Sequence, residues 1–177
     1  MQESPDFDKE AANIYRHDAS RPDNNEVIHV DSADMPAEGE QFGKIVIGSA
    51  RIDAPLFYGD GAKELRRGVG CYTGTYLPGA GHTVLLAGHN HTFFKTLGQV
   101  SEGDQVQIST SYGEYVYEIT GTRVAYATDT TAYDLTREEE NLILYTCYPF
   151  GSVGLTPERL FVYAEYVSGP RLDWVYD

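Results

Sequence analysis

The residues able to do chemistry fall at the ends of apolar runs. Cys147 closes the run Leu142-Ile143-Leu144-Tyr145-Thr146-Cys147, and His89 closes Leu85-Leu86-Ala87-Gly88-His89. Arg159 opens a third run, Leu160-Phe161-Val162-Tyr163. Short apolar runs of this kind read as buried strands, and a strand end holds its side chain rigidly at the rim of a sheet. A thiol, an imidazole and a guanidinium delivered in this way form a usable set for nucleophilic attack on a carbonyl. The thiolate is the nucleophile, and a free cysteine is mostly protonated near neutral pH. A nearby imidazole can take that proton and later hand it to a departing amine. The tetrahedral intermediate carries an oxyanion, which needs fixed donors such as an arginine or backbone N–H groups.

The same residues admit other readings. Cys147 could be a small buried hydrophobe, His89 a loop histidine satisfied by backbone, and Arg159 a surface charge. His89 and His91 together with a thiolate could bind zinc. However, Thr92-Phe93-Phe94-Lys95-Thr96 brings no acidic ligand after them, and nothing points to a fourth ligand. The expectation is therefore that no metal and no cofactor takes part.

The bounds on the chain agree with a small β-rich domain. Its 177 residues, 41% of them hydrophobic, suffice for one domain with a proper core and leave room for a tail. Fourteen Tyr, 18 Gly and 8 Pro favour strands and frequent turns over long helices. The formal net charge of −14 argues against nucleic-acid binding, where a basic stripe is expected, and against an electrostatic grip on anionic lipid. Residues 1–43 carry 3 basic against 11 acidic residues, −8 of that total. With few large apolar residues, this segment reads as an acidic polar stalk or leader, partly disordered. Phe7, Ile14 and Tyr15 could support one short amphipathic helix there. Met1 is followed by acidic residues, so no signal peptide is visible, and no run is apolar and long enough to cross a bilayer. Two readings remain, a cytoplasmic protein or a chain separated from its membrane anchor. Two cysteines are too few for a disulfide framework, and whether Cys71 and Cys147 pair is left open.

Strands are expected at Lys44–Ile47, Ala50–Phe57, Thr83–Ala87, Val106–Ser109, Tyr115–Val124, Leu142–Thr146 and Leu160–Val167. Gly113 marks a hairpin turn, and Pro55 suits an edge or a strand end. Short helices are expected at Gly61–Arg67 and at the capping-box pattern Thr136-Arg137-Glu138-Glu139, and a single helical turn at Phe93–Leu97. About eight short strands with regular turns predict an antiparallel sandwich or a closed barrel.

With these residues in hand, the chain resembles the sortases, cysteine transpeptidases of Gram-positive cell surfaces. Ile143-Leu144-Tyr145-Thr146-Cys147 is similar to their Thr-Leu-X-Thr-Cys signature, with Ile143 in place of the first Thr. Leu86-Ala87-Gly88-His89 matches the run that ends in the family's histidine, Leu77-Pro78-Gly79-Ala80-Gly81 matches the turn before it, and Arg159 matches the arginine at the last strand. The resemblance covers about residues 43–168. Cys147-Tyr148-Pro149-Phe150-Gly151 with Pro157-Glu158-Arg159 is most similar to class D.

The resemblance implies a mainly β fold, the eight-stranded sortase β-barrel with a few short helices, over residues 44–177. It implies that Cys147 attacks the Thr–Gly bond of a Leu-Pro-X-Thr-Gly-like sorting signal, with His89 as general acid and base. Arg159 would position substrate and help hold the oxyanion, and Thr146 would help orient substrate or stabilise the oxyanion. His82, His91 and Cys71 would be dispensable. The implied partners are sorting-signal-bearing surface proteins and an amine from a peptidoglycan precursor or a pilin. The implied location is the extracellular face of the cell membrane, with residues 1–43 as the stalk below an anchor. The competing functions are a hydrolytic cysteine peptidase and a non-catalytic or metal-binding β-barrel module.

Overall fold

The computed structural model describes residues 27–29, 35–150 and 156–173. Most of the acidic leader lies outside these residues, as does the helix expected around Phe7, Ile14 and Tyr15. The elements in chain order are β1 (Val27–His29), β2 (Gln41–Ile47), β3 (Ile52–Tyr58), α1 (Ala62–Leu65), β4 (Val69–Cys71), β5 (Thr83–Ala87), β6 (Gln105–Thr110), β7 (Glu114–Tyr126), β8 (Asn141–Tyr148), β9 (Glu158–Ser168) and β10 (Arg171–Asp173). Eight of them close into a barrel in the order β2-β3-β4-β5-β8-β9-β7-β6. The expected pairing was antiparallel, but β3–β4 and β5–β8 are parallel. Each of these parallel pairs is joined by a crossover, as parallel strands require.

The alternation of each strand sorts its residues into two layers. Ile45, Leu56, Leu86, Ile108, Tyr117, Leu144 and Val162 fill the barrel interior. On the outside of the same sheet, Leu85, Ile143 and Phe161 form a second cluster with Ala125 and Ala132, and Tyr133 and Leu135 pack against it. The second cluster explains why β5 and β8 read as continuous apolar runs: they are covered on both faces. Its cover is the segment 127–140, which is fastened to the sheet by polar pins. The Arg137 guanidinium forks onto Glu165 through bonds of 2.9 and 3.2 Å, the Tyr163 hydroxyl donates to Ala132 O, and the His82 ring meets Arg137 O at 3.1 Å.

Two expected local elements differ. Thr136–Glu139 forms no helix, because the Asp134 carboxylate takes both the Thr136 N–H at 2.9 Å and its hydroxyl at 2.6 Å, fixing an Asx turn. Phe93–Leu97 is a series of turns with a 3-10 turn at Leu97–Gln99. Pro55 lies in β3 just before the pairing with β4 begins at Leu56, where its missing N–H costs nothing.

A carboxylate anchors the turn ahead of β5. Gly79 and Gly81 adopt φ of +97° and +85°, a region that glycine enters freely. Their N–H groups donate to Glu140 Oε1 at 2.9 and 3.0 Å, and the buried Tyr117 hydroxyl donates to Oε2 at 2.6 Å. Burial raises the Glu140 carboxyl above its ordinary value, against the opposing pull of these donors. Glu140→Ala strands three donors and is expected to lower the unfolding free energy by about 2 kcal/mol. A raised folded-state value means that the contribution of Glu140 is full below the unfolded value and is lost as pH rises through the folded one. Glu140→Gln, neutral throughout, should therefore close its stability gap to the wild type as pH rises from about 4 towards neutrality. Urea denaturation at a series of pH values checks this, and a gap that widens with pH contradicts it.

Candidate active site

The site is built on one register. In β8, Leu142 and Leu144 point into the barrel and Ile143 and Tyr145 point out of it, so Cys147, two residues further on, shares the outer face of Tyr145. Cys147 pairs directly with Arg159 of β9, and residues paired in this way project to the same face. On the other side of β8, the parallel partner β5 ends with Ala87 opposite Tyr145. His89 and Cys147 each lie two residues past that pair. Cys147 on β8, Arg159 on β9 and His89 just past the end of β5 thus come to one rim of the barrel. Cys147, His89 and Arg159 are all half-buried.

The His89 segment is held by its neighbours. The Gly88 N–H donates to Tyr145 O at 3.2 Å, and the Thr146 hydroxyl donates to Gly88 O at 2.7 Å. Thr146 is 1% exposed, so whatever it contributes to a substrate passes through the segment carrying His89. The chain then folds back: Phe94 N–H donates to His89 O at 3.1 Å, Phe94 is fully buried, and the Asn90 amide donates to Pro149 O at 3.3 Å. Gly88 has no room for a side chain, since a Cβ there would stand 2.6 Å from Phe94 Cδ2.

Burial, and then the neighbouring His91, hold the His89 imidazole below its ordinary pKa, which favours the neutral ring able to accept a proton. His91 is exposed and stacks on His89 with ring centroids 5.1 Å apart. Among the described residues, no three His, Cys, Asp or Glu side chains are grouped to hold a metal ion. His82 stacks on Tyr76 at 4.1 Å, away from this pair. Both cysteines are free thiols. Cys71 lies in the barrel interior, where burial pushes its thiol up to about 12, so it stays protonated. Arg159 Nη1 donates to Thr156 O at 2.5 Å and to Glu158 O at 2.8 Å, which fixes the plane of the guanidinium. Residues 151–155, including Gly151 of the class D pattern, lie outside the described residues.

A groove of about 380 Å3 continues from Arg159 along the outer face. Leu85, Tyr145 and Phe161 line its floor, Tyr133 and Leu135 one wall, and Asp60 and Tyr72 the other. The period-two alternation of β8 could have placed Tyr145 beside Cys147. Asp60 carried no sequence signal, because barrel closure alone brings the loop after β3 to this face.

A family model for the sortase domain matches residues 45–167. The chain belongs to the sortase family. This sortase is 38% identical over 133 residues to Sortase D of Bacillus subtilis (strain 168), a match covering 75% of this chain and 67% of the relative. Sortase C from Clostridium perfringens SM101 superposes with a TM-score of 0.66 at 28% identity, covering 74% of this chain and 72% of the other. Clostridium perfringens sortase C with the C-terminal cell wall sorting motif gives 0.67 at 27% identity, with the same coverage of 74% and 72%.

The packing of Gly88 is testable. Gly88→Ala must displace Phe94 and should cost about 1–3 kcal/mol, lowering Tm by several degrees together with the reactivity of Cys147. Gly121, in β7, has nothing within 4 Å of where a Cβ would stand, so Gly121→Ala should stay within about 0.5 kcal/mol of wild type. Thermal melts and Cys147 alkylation rates compare the two, and equal effects would show that Gly88 is not special.

Proposed function

We infer that the chain is a cysteine transpeptidase that cleaves a Leu-Pro-X-Thr-Gly-like sorting signal between Thr and Gly and transfers the acyl part to an amine. The observation that carries this reading is the register that sets Cys147 opposite Arg159 and beside the His89 segment, with Arg159 also lining a groove on the same face.

In the first half-reaction, the Cys147 sulfur attacks the Thr carbonyl while its proton passes to the neutral His89 ring. The C–N bond breaks as His89 returns that proton to the departing glycine amine, leaving a thioacyl enzyme. In the second, the incoming amine attacks the thioacyl carbonyl as His89 takes its proton, a new C–N bond forms, the C–S bond breaks, and His89 returns the proton to the Cys147 sulfur. Arg159 supplies fixed positive charge where the oxyanion develops. Its Nη1 anchors to Thr156 O and Glu158 O hold the fork in place between the two halves. Thr146 acts through its bond to Gly88 as a positioning residue. The apolar floor of the groove suits the Leu-Pro end of the signal. The amine donor is a peptidoglycan precursor or a pilin lysine, and the work is done at the extracellular face of the cell membrane. Among the described residues, no helix is long and apolar enough to cross a membrane.

Incubation with a quenched Leu-Pro-X-Thr-Gly peptide, with and without a glycine or diaminopimelate amine, tests this reading. Cleavage should require Cys147, vanish in Cys147→Ala, persist in Cys71→Ser, and yield amine-ligated product. Acid as the sole product in the presence of amine would mark a peptidase instead. A second prediction concerns Arg159→Lys. An ammonium does not replace a planar fork, so kcat/KM should fall at least about a hundredfold, within the range for losing one oxyanion donor. A near-normal rate would reduce Arg159 to a general electrostatic role.

A further inference from the structure

One carboxylate stands in the groove. Among the groove-lining residues the charged groups are Asp60 and Arg159, and Arg159 Nη1 is turned to the backbone carbonyls of Thr156 and Glu158. Asp60 is half-buried. The Tyr145 hydroxyl reaches Asp60 Oδ2 at 3.4 Å, well beyond an ordinary O–H···O bond. A carboxylate offers about four acceptor sites, so Asp60 keeps acceptor capacity facing a cavity whose other walls are aromatic and aliphatic. A group placed there that donates an N–H or carries a positive charge gains a charge-assisted bond, whereas a second carboxylate meets repulsion in a medium less screened than bulk water.

Position along the groove narrows what is read. Tyr145 and Cys147 are two residues apart on one strand, or roughly 7 Å, and Asp60 lies at the tip of the Tyr145 side chain. An extended peptide advances about 3.4 Å per residue. With the scissile carbonyl at Cys147, Asp60 is therefore within reach of the side chains one or two places ahead of the acyl residue. In a Leu-Pro-X-Thr-Gly signal those places are X and Pro, and of the two only X varies.

We propose that Asp60 is a specificity-determining residue that selects sorting signals whose X residue is an amide or a cation and discriminates against acidic X. This inference rests on the reading of the groove as the sorting-signal site. It commits the natural substrates to neutral-donor or basic X, in a protein whose overall charge of −14 acts on all acidic peptides alike.

The experiment compares kcat/KM for Leu-Pro-Lys-Thr-Gly, Leu-Pro-Gln-Thr-Gly and Leu-Pro-Glu-Thr-Gly peptides, with a saturating glycine amine, at low and high salt. It uses wild type, Asp60→Asn, Asp60→Lys and Glu118→Gln. Glu118 is an exposed acid of β7 that pairs with Glu165, far along β9 from Arg159. Wild type should prefer the Lys and Gln peptides over the Glu peptide by about tenfold. Asp60→Asn should narrow that ratio to within about twofold, Asp60→Lys should invert it, and Glu118→Gln should leave it unchanged. Equal use of the three peptides by wild type overturns the inference. So does a ratio untouched in both Asp60 variants while circular dichroism and Cys147 alkylation match wild type, or an equal narrowing in Glu118→Gln. If wild type turns over none of the peptides, the failure lies in the transpeptidase reading and the inference falls with it.

Discussion

The pairing of β8 with two neighbours of opposite sense is the constraint on which the rim depends. β5 runs parallel to it and β9 antiparallel, so strand ends that are remote in the chain arrive together. The register is set from inside. A slip of one residue would turn Cys147 into the barrel and push Leu142 and Leu144 out. Each fully buried leucine is worth about 1.5–3 kcal/mol relative to exposure, so the slip costs several kcal/mol before any hydrogen bond is counted. The packing of the interior thus selects which face the thiol occupies.

A second layer turns a rim into a groove. Left to itself, the outer face of β5, β8 and β9 would expose Leu85, Ile143 and Phe161. The 127–140 segment covers part of it with Ala132, Tyr133 and Leu135 and leaves the rest as a trough. Arg123 adds to the fastening by donating to Thr131 O at 3.1 Å and to Asp129 at 2.9 Å. Because these pins are distributed along the segment, the wall is preformed and a ligand need not order it, which spares the entropy of closing a loop on binding.

Much of the fold was legible because β5 to β9 carry strong local signals. The runs Thr83–Ala87 and Leu142–Thr146 and the alternation of Val106–Ser109 each mark a strand that burial then confirms. Cys147, His89 and Arg159 stood out as strand ends joined by a family resemblance, and the structure brings those ends to one rim. Other parts were not legible. β4 is three residues long and contains Gly70, and β1 and β10 are equally brief, so each forms only because a partner strand is at hand. Thr136-Arg137-Glu138-Glu139 has the pattern of a helix start, but Asp134 captures Thr136 and Glu165 captures Arg137. Both competing interactions come from outside the four-residue window. Asp60 illustrates the general reason: its neighbour Tyr145 is 85 residues away, and no local pattern encodes a contact made by closing a barrel.

Closure has a consequence of its own. Each of the eight barrel strands is hydrogen-bonded to a neighbour on both sides, so among the described residues no barrel strand offers a whole free edge to which an extended polypeptide could add itself. A visiting chain therefore meets no full-length barrel edge to augment. What the trough turns outward is side-chain surface, with Leu85, Tyr145 and Phe161 beneath and Asp60 beside them.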